Sequence, residues 1–296
     1  MELRVLNYFL VIARESNFTK AAEQLHITQP TLSRQIAQLE EELGVKLFVR
    51  SNHSIILTEA GMMLKRRAQE LLSLADKTRK DISYIGQNLE GTLSIGCGEF
   101  LANRCLADCI AAFRQEYPQV KYELSSGNTA KIQDGLERGL LDIGLLSEPV
   151  NVEKYDFIPM PVREQWGALV RKDSPLAEKS VIRPQDLVGV PVVSALGDTA
   201  QSNIGLWLND QLPNVNIIAK GDLLYSEAML AQSNVGVVLG IRLNCCYEGL
   251  KFIPLFPAME HRTVLAWKKE QIRTTATMAF LEFAQQYLKG IADDKK

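Results

Sequence analysis

The sequence predicts an α/β protein with two parts, an N-terminal all-α segment and a larger α/β segment built as two similar lobes. Over the first ninety residues, apolar side chains recur at intervals of three and four, the period of an amphipathic helix. From residue 91 onward, short apolar runs typical of strands alternate with helical patterns, and this alternation occurs twice. A chain of 296 residues is long enough to form several cores.

Two helices open the chain. The first is predicted from the apolar spacing of Leu3, Leu6, Leu10 and Ala13, and it ends near residues 16–17. The second is predicted over residues 20–25, with Thr19 as its N-terminal cap.

The third helix carries most of the information in this segment. Thr28 is expected to cap it, Pro30 fits its first turn, and Gly44 ends it. Its spacing of apolar residues predicts a buried stripe of Leu32, Ile36, Leu39 and Leu43. A second flank is polar and consists of Thr31, Arg34 and Gln38. Such a flank fits the major groove of DNA, where these side-chain types hydrogen-bond to base edges and phosphates.

Two short apolar runs, at 45–50 and 55–57, follow this helix and enclose a polar turn at 51–54, which predicts a two-stranded wing. Arg50 and His53 are expected to contact the DNA backbone or the minor groove. The formal net charge of the chain is only −2, so the protein as a whole does not attract DNA electrostatically. Binding to DNA must depend on where the basic side chains are placed. The predicted DNA contacts of this winged helix-turn-helix are Gln29, Pro30, Thr31, Ser33, Arg34, Gln38, Arg50 and His53.

A long linker helix is predicted from Thr58 to about Leu89. Its apolar seam repeats every seven residues and predicts a homodimer, because a strip this narrow should not be covered by the chain itself. Two copies would present two helix-turn-helix units to a dyad-symmetric DNA site. The seam consists of Leu64, Ala68, Leu71, Ala75, Thr78, Ile82, Ile85 and Leu89.

The remaining residues predict two lobes with parallel sheets. The first pattern places strands at 92–97, 120–124 and 141–146 and helices at 101–117 and 131–138. The second places strands at 191–195, 216–219 and 235–239 and helices at 203–210 and 223–231. Two further strands, at 165–170 and 263–267, are expected to cross between the lobes, and a last helix at 276–288 returns to the first lobe.

The predicted domains follow from these patterns. Residues 1–58 form the DNA-binding domain, 59–90 the linker and dimerisation helix, and 91–296 a ligand-binding domain. Within the last, lobe I spans about 91–162 and 268–296, and lobe II spans about 163–267.

A ligand site is expected in the cleft between the lobes, because ligands of open α/β sheets lie beyond the carboxyl ends of the strands. The alternative for the hydroxyl and amide side chains among the candidates is that each only caps a helix. If Glu99 faces the cleft, its carboxylate would disfavour an anionic ligand and suit one with an amine or many hydroxyls. The candidate contacts are Gly98, Glu99, Phe100, Ser126, Asn128, Thr129, Ser194, Gly197 and Thr199.

Several motifs of the first segment together resemble the LysR-type transcriptional regulators. They are FTKAAEQLH at 18–26, QPTLSRQI at 29–36, LE at 39–40, LG at 43–44, LFVR at 47–50 and LTEAG at 57–61. His53 departs from the family, whose wing usually carries a second arginine there.

This resemblance implies a sequence-specific transcription regulator whose binding or bending of operator DNA is controlled by a small-molecule effector. It implies a periplasmic-binding-protein-like effector domain, in which Thr129 supplies a ligand-bonding hydroxyl and 98–100 is a second ligand loop. It also implies a homotetramer, a dimer of dimers, and RNA polymerase is considered as a further partner.

Five cysteines leave open an alternative function. A thiol-based redox or metal-responsive regulator would use Cys105 with Cys109, or Cys245 with Cys246. The first pair fits the apolar pattern of a helix, however, and no paired CxxC spacing predicts zinc. Neither a metal nor another cofactor is expected.

Other functional classes fit less well. Three isolated histidines, no glycine-rich phosphate loop and no nucleophile motif argue against an enzyme. A free-standing solute-binding protein would leave the first ninety residues unexplained. The start of the chain lacks the pattern of an export signal, and no apolar run reaches the length of a membrane span, so we expect a cytoplasmic protein without a membrane partner.

Overall fold

The computed structural model describes residues 1–50, 55–83 and 89–293. The chain divides into two compact units, Met1–Ser83 and Tyr84–Lys296. We call them the N-terminal unit and the C-terminal unit.

The N-terminal unit contains the predicted helices and wing. The wing strands pair antiparallel, with Val49 opposite Ile56. The elements are α1 Leu3–Glu15, α2 Phe18–Gln24, α3 Gln29–Leu43, β1 Phe48–Arg50, β2 Ile55–Leu57 and α4 Glu59–Ser83.

The cap of α2 differs from the prediction. Asn17, not Thr19, is the N-cap, and its side-chain oxygen accepts hydrogen bonds from the backbone N–H groups of Thr19 at 2.8 Å and Lys20 at 3.1 Å. The helix begins earlier than predicted because Phe18 belongs to its first turn and packs against the core.

The third helix confirms Gly44 as its end, where a φ of +68° favours a residue without a Cβ. Thr28 occupies the N-cap position, but its hydroxyl bonds to that of Thr31 at 2.8 Å rather than to the backbone. Leu32, Ile36 and Leu39 are buried as predicted. The prediction was wrong for Leu43, which is 39% exposed on the final turn of the helix.

The seam of α4 is partly covered within the chain, which corrects the prediction that it needs a second copy throughout. Ala68 is fully buried in the core of the N-terminal unit, and Leu64 and Leu72 pack against that core. Leu71 of the seam is 39% exposed, as is Leu74, which lies outside the predicted seam. Ile85 and the side chain of Ile82 lie outside what the structure describes.

The C-terminal unit begins with the elements of lobe I. Strand β3 lies between β4 and β5 and is parallel to both, as predicted. Helix α9 returns to this lobe, where Phe280 packs against Phe113 of α5. The elements are β3 Gly91–Cys97, α5 Asn103–Glu116, β4 Val120–Ser126, α6 Thr129–Glu137, β5 Ile143–Ser147 and α9 Thr275–Asp293.

Lobe II repeats this plan. Strand β7 is parallel to both β8 and β9. The helix after β7 begins at Asp198, five residues earlier than predicted, and β10 was not predicted. The elements are β7 Pro191–Ala195, α7 Asp198–Leu208, β8 Asn216–Gly221, α8 Leu224–Gln232, β9 Val237–Ile241 and β10 Leu250–Pro254, with 3-10 turns at Pro175–Glu178, Pro184–Leu187 and Asn209–Asn214.

Two long strands join the lobes and confirm the predicted crossings. They are β6 Tyr155–Arg171 and β11 Glu260–Lys268, which pair antiparallel. Strand β11 also pairs with β5, and β6 also pairs with β9 and β10. In the described residues of the C-terminal unit, nine strands form one sheet, eight in the order β4-β3-β5-β11-β6-β9-β7-β8 and the ninth, β10, paired with β6.

Candidate nucleic-acid interface and candidate ligand cavity

The polar flank of α3 faces solvent. Thr31, Arg34 and Gln38 are exposed, and so is Pro30 in the first turn. Gln29 and Ser33 are half-buried. The opposite flank is anchored in the core, so the exposed side chains stand on a fixed helix and are free to reach a ligand outside the unit.

Glu40 fastens the start of the wing to α3, a role that the sequence did not reveal. Its carboxylate accepts hydrogen bonds from the Lys46 ammonium at 2.7 Å and from the backbone N–H groups of Leu47 at 2.9 Å and Phe48 at 3.4 Å. Burial alone would raise the pKa of Glu40, but these hydrogen bonds outweigh it and lower the pKa. The bonds hold the wing next to the helix.

Thr58 and Gly61 join the wing to the start of α4. The Thr58 hydroxyl donates to the carbonyl of Lys46 at 2.7 Å, and the N–H of Gly61 donates to that hydroxyl at 3.0 Å. A Cβ at position 61 would lie 2.2 Å from the carbonyl oxygen of Leu47, so only glycine fits there. Of the predicted wing contacts, His53 and the side chain of Arg50 lie outside what the structure describes.

A cavity of about 250 Å³ lies between the lobes of the C-terminal unit. Its wall combines apolar and aromatic side chains with a few polar groups, the usual composition of a small-molecule site. The lining residues of lobe I are Gly98, Glu99, Phe100, Gly127, Asn128, Thr129, Ala130, Gln133 and Ser147, and the remainder are Trp166, Ala195, Leu196, Gly197, Ala200, Asn203, Gly221, Asp222, Leu224, Glu227, Gly240, Ile241 and His261.

Six of the nine predicted ligand contacts line this cavity, namely Gly98, Glu99, Phe100, Asn128, Thr129 and Gly197. The structure places Ser126 and Ser194 elsewhere. Ser194 is 1% exposed within the sheet, and Ser126 is an exposed residue at the end of β4. The side chain of Thr199 is outside what the structure describes.

The polar candidates at the start of α6 have different roles. The side-chain oxygen of Asn128 accepts a hydrogen bond from the N–H of Lys131 at 3.0 Å, so it caps the helix. Thr129 is the first residue of α6 and lines the cavity. The oxygen of Asn128 therefore serves as a helix cap, as the alternative interpretation expected. A ligand contact by Thr129 remains a prediction.

Glu164 holds the backbone directly after the 98–100 loop, a role that the sequence did not reveal. It is fully buried on β6, and its carboxylate accepts hydrogen bonds from the N–H groups of Leu101 at 2.7 Å and Ala102 at 3.0 Å. The hydroxyl of Thr263 on β11 lies 3.5 Å from the same carboxylate. Burial raises the pKa of Glu164, against the opposing effect of these hydrogen bonds. The group ties lobe I to both crossing strands.

Trp166, His261 and Ser147 form a hydrogen-bonded chain along the cavity wall. The Trp166 indole N–H donates to Nδ1 of His261 at 2.9 Å, and Nε2 of His261 lies 3.3 Å from the Ser147 hydroxyl. Burial lowers the pKa of His261 to about 4, so the ring is neutral at pH 7. Because Nδ1 accepts, Nε2 carries the proton and donates to Ser147.

Three carboxylates line the same cavity. Glu99 of lobe I accepts a hydrogen bond from the N–H of Leu224 in lobe II. Asp222 of lobe II accepts a hydrogen bond from the Lys131 ammonium of lobe I at 2.6 Å. This hydrogen bond is the main reason why the pKa of Asp222 is lowered. Glu227 is 4% exposed. The pKa of Glu227 is raised to about 7, chiefly by burial and further by the negative charges of Glu99 and then Asp222. The cavity is therefore rich in negative charge, and two contacts bridge its rim.

The cysteines differ between the two pairs that were considered as sensors. Cys105 and Cys109 are buried in the core of lobe I, and burial raises the pKa of Cys109 to about 12, which disfavours the reactive thiolate. Cys245 and Cys246 are exposed, and both are free of disulfides. A redox role for the second pair stays a prediction.

The described residues contain neither a candidate metal site nor a helix suited to span a membrane. None of these residues form a group of three or more His, Cys, Asp or Glu side chains suited to a metal ion. Within the same part of the chain, every helix is too short or too polar to cross a membrane.

Two family models match the chain. Residues 3–62 match the bacterial regulatory helix-turn-helix protein, lysR family, and residues 86–289 match the LysR substrate binding domain. The first match contains the polar flank of α3, and the second contains all residues that line the cavity.

Individual proteins agree with these matches. The Hca operon transcriptional activator HcaR of Escherichia coli (strain K12) is 30% identical over 98% of this chain and 99% of its own length. The crystal structure of full-length CbnR complexed with its target DNA has a TM-score of 0.74 at 20% identity and covers 97% of this chain and 100% of that one. A Corynebacterium glutamicum OxyR C206 mutant has a TM-score of 0.55 at 22% identity over 99% and 93% of the two chains. At these identities, the two structures support the fold.

Proposed function

Because this chain belongs to the LysR family of transcriptional regulators, we propose that its N-terminal unit reads an operator and that a small molecule in the interlobe cavity controls this binding. The protein is a DNA-binding regulator and not an enzyme. The single observation that carries the proposal is a helix-turn-helix with an exposed polar flank in the same chain as a two-lobed unit that encloses a cavity.

Contacts to DNA are proposed for the flank of α3. Thr31 and Gln38 carry groups that hydrogen-bond to base edges, and Arg34 carries the guanidinium that pairs with guanine or phosphate. Gln29, Pro30 and Ser33 lie at the beginning of the helix, where backbone N–H groups and the helix dipole favour a phosphate. The CbnR structure contains that protein's target DNA, which supports this placement by similarity of fold. Arg50 and His53 of the wing complete the proposed surface.

We propose that the regulator acts as a homo-oligomer in the cytoplasm. The exposed Leu71 and Leu74 of α4 offer an apolar surface for a second copy, and a dimer of dimers is the assembly that the family resemblance implies. Two helix-turn-helix units would then contact a dyad-symmetric operator.

Control by the ligand requires that it bind two states of the protein with different affinity. Glu99 and Lys131 of lobe I contact Leu224 and Asp222 of lobe II at the rim of the cavity. A ligand that changes these contacts would change the angle between the lobes, and the oligomer would transmit this change to the spacing of its DNA-binding units. RNA polymerase is the expected recipient of the signal.

The test is the selectivity of the full-length protein for DNA. Fluorescence anisotropy compares its binding to a duplex from upstream of its own coding region with its binding to a scrambled duplex of the same composition. We expect Arg34→Ala to weaken binding to the first duplex by about 10- to 100-fold, the usual range for one bidentate base contact.

The matched control is Arg104→Ala, which removes an exposed arginine of α5 in the other unit. It should leave the affinity unchanged. Equal binding of the wild-type protein to both duplexes at every salt concentration would contradict sequence-specific reading.

A further inference from the structure

Glu227 is a buried carboxylate whose hydrogen-bonding capacity is unused. It lies on α8, is 4% exposed, and lines the interlobe cavity. Among the described residues, its side chain has neither a hydrogen-bond donor nor a cationic partner, although buried carboxylates usually have both. Glu227 lines the cavity, so a ligand bound there can supply the missing partner.

Gly221, the last residue of β8, leaves the space that the Glu227 side chain occupies. A Cβ at position 221 would lie 2.6 Å from Oε1 of Glu227 and 2.7 Å from its Cγ. The side chain therefore lies flat over the glycine and beside the cavity. A side chain at position 221 would displace Glu227, so the two residues together shape this part of the cavity wall.

The groups around Glu227 add negative charge rather than neutralising it. Glu99 and Asp222 line the same cavity, and both oppose ionisation of Glu227. Tyr247 is the further titratable group near Glu99 and Glu227, and burial raises its pKa, so it is neutral at pH 7. The Lys131 ammonium is already bonded to Asp222. The cavity thus has a deficit of positive charge.

We propose that the cavity binds a small ligand with a protonated amine, held by Glu227 with Glu99 close by, and with its apolar body against Phe100 and Trp166. This inference rests on the proposed function of the cavity and specifies the chemical class of its ligand. An ammonium group supplies the N–H donors that a carboxylate requires, and it cancels charge where the low dielectric makes repulsion strong. A carboxylate ligand would instead add a further negative charge to the same space.

Aromatic rings support the same class of ligand. Phe100 and Trp166 both line the cavity, and aromatic rings accommodate the apolar body of an amine while also attracting a nearby ammonium. His261 beside them is neutral, because burial lowers its pKa to about 4, and it does not compete as a cation. A bare metal ion is the weaker alternative, since the described residues provide no group of three metal ligands.

The experiment compares three probes of nearly equal size with the full-length protein, namely propylammonium chloride, sodium propionate and 1-propanol. Thermal unfolding is recorded at pH 8 with ionic strength held constant, because a ligand of the folded state raises Tm. We expect propylammonium to raise Tm, and propionate and propanol to have no effect.

The decisive variant is Glu227→Gln, which preserves the shape of the side chain and removes its charge. Its affinity for propylammonium should fall at least about tenfold, as expected for the loss of a charged hydrogen bond. Glu282→Gln on α9 is the matched control, since Glu282 is exposed and away from the cavity, and its affinity should equal that of the wild type.

The affinity should also depend on pH. Because burial and the neighbouring acids raise the pKa of Glu227 to about 7, lowering the pH from 8 to 6 should weaken amine binding about tenfold in the wild type. In Glu227→Gln, this dependence should be absent.

Absence of stabilisation by propylammonium, or equal stabilisation of the wild type and Glu227→Gln, would overturn the proposal. Stabilisation by propionate that survives Glu227→Gln would overturn it as well. In that last case, the cavity would still bind a ligand, and only the assigned charge of the ligand would be wrong. Loss of the proposed function itself would instead appear as loss of DNA selectivity, which is measured without any probe.

Discussion

The two candidate sites differ in how the chain builds them. The proposed DNA-contacting residues of α3 lie within ten consecutive positions, on one flank of one helix, and most of them are exposed. The cavity is lined by residues from position 98 to position 261, which come from both lobes and from the crossing strands. A local period defines the first site, and tertiary packing defines the second.

The sites differ in energetics as well. An exposed side chain such as Arg34 is hydrated in the unbound protein, so its removal should leave the free energy of unfolding nearly unchanged. Glu164, Glu227 and His261 are buried or half-buried, and their charges are penalised by desolvation. Substitutions in the cavity should therefore change stability and binding together, whereas those on the flank of α3 should change binding alone.

The largest effect on stability is expected at Gly61, a buried residue of α4 in the N-terminal unit that is not among the proposed DNA contacts. In Gly61→Val, the new Cβ would meet the carbonyl oxygen of Leu47 at 2.2 Å and force the start of the wing away from α4. Overpacking of this kind should lower the free energy of unfolding by about 3 kcal/mol, measured by urea denaturation. Such a loss would show that substitutions in the N-terminal unit leave stability unchanged only where the residue is exposed.

Gly290→Val is the matched control for that substitution. Gly290 lies on α9, and a Cβ there meets no heavy atom within 4 Å. Its stability should not fall. Equal destabilisation by the two variants would mean that the contact with Leu47 is unimportant.

The next effect concerns the cavity and has the opposite sign. The pKa of Glu227 is raised by burial to about 7 in the folded protein, so this group stabilises the fold below its unfolded pKa of 4.5, and that contribution is lost as the pH rises through 7. Glu227→Gln should therefore raise the free energy of unfolding by about 2 kcal/mol at pH 8 and by little at pH 4.

Urea titrations of Glu227→Gln, Glu282→Gln and the wild type at both pH values would measure this difference. His261 changes stability in the opposite direction, since its lowered pKa makes the fold lose stability as the pH falls from 6.5 toward 4. Subtraction of the wild-type curve removes that contribution. A loss of stability in Glu227→Gln at pH 8 would show that the buried carboxylate has a partner in the free protein.

The smallest effect separates two candidate caps of α2. Asn17→Ala removes the oxygen that accepts hydrogen bonds from the N–H groups of Thr19 and Lys20, so it should lower the free energy of unfolding by about 1 kcal/mol. Thr19→Ala keeps that oxygen and should have a smaller effect. The reverse order in thermal unfolding would restore Thr19 as the cap.

The same contrast explains what the sequence could and could not predict. The period of Leu32, Ile36 and Leu39 locates both flanks of α3, and the alternation of strands and helices locates most elements of the lobes. Glycines and polar residues after β3 and β4 indicate the lobe I side of the cavity, and the structure places Gly98, Glu99 and Thr129 there.

The rest depended on contacts between distant residues. Glu164 and Leu101 are 63 positions apart, and Trp166 and His261 are 95 apart, so no local pattern connects them. Glu227 gave one weak signal, an acid among the apolar residues of α8. The prediction for the α4 seam was wrong at Leu64 and Ala68 for a similar reason, since the periodicity does not reveal whether the same chain or a second chain covers these residues.

The central claim is that α3 reads DNA and that the cavity does not. The most direct test is to measure the operator selectivity of three full-length proteins without ligand. The quantity is the ratio of Kd for the scrambled duplex to Kd for the upstream duplex, measured for the wild type, Arg34→Ala and Glu227→Gln. The account predicts a high ratio for the wild type and Glu227→Gln, and a ratio that falls about 10-fold or more toward one for Arg34→Ala. A ratio that survives Arg34→Ala would contradict it.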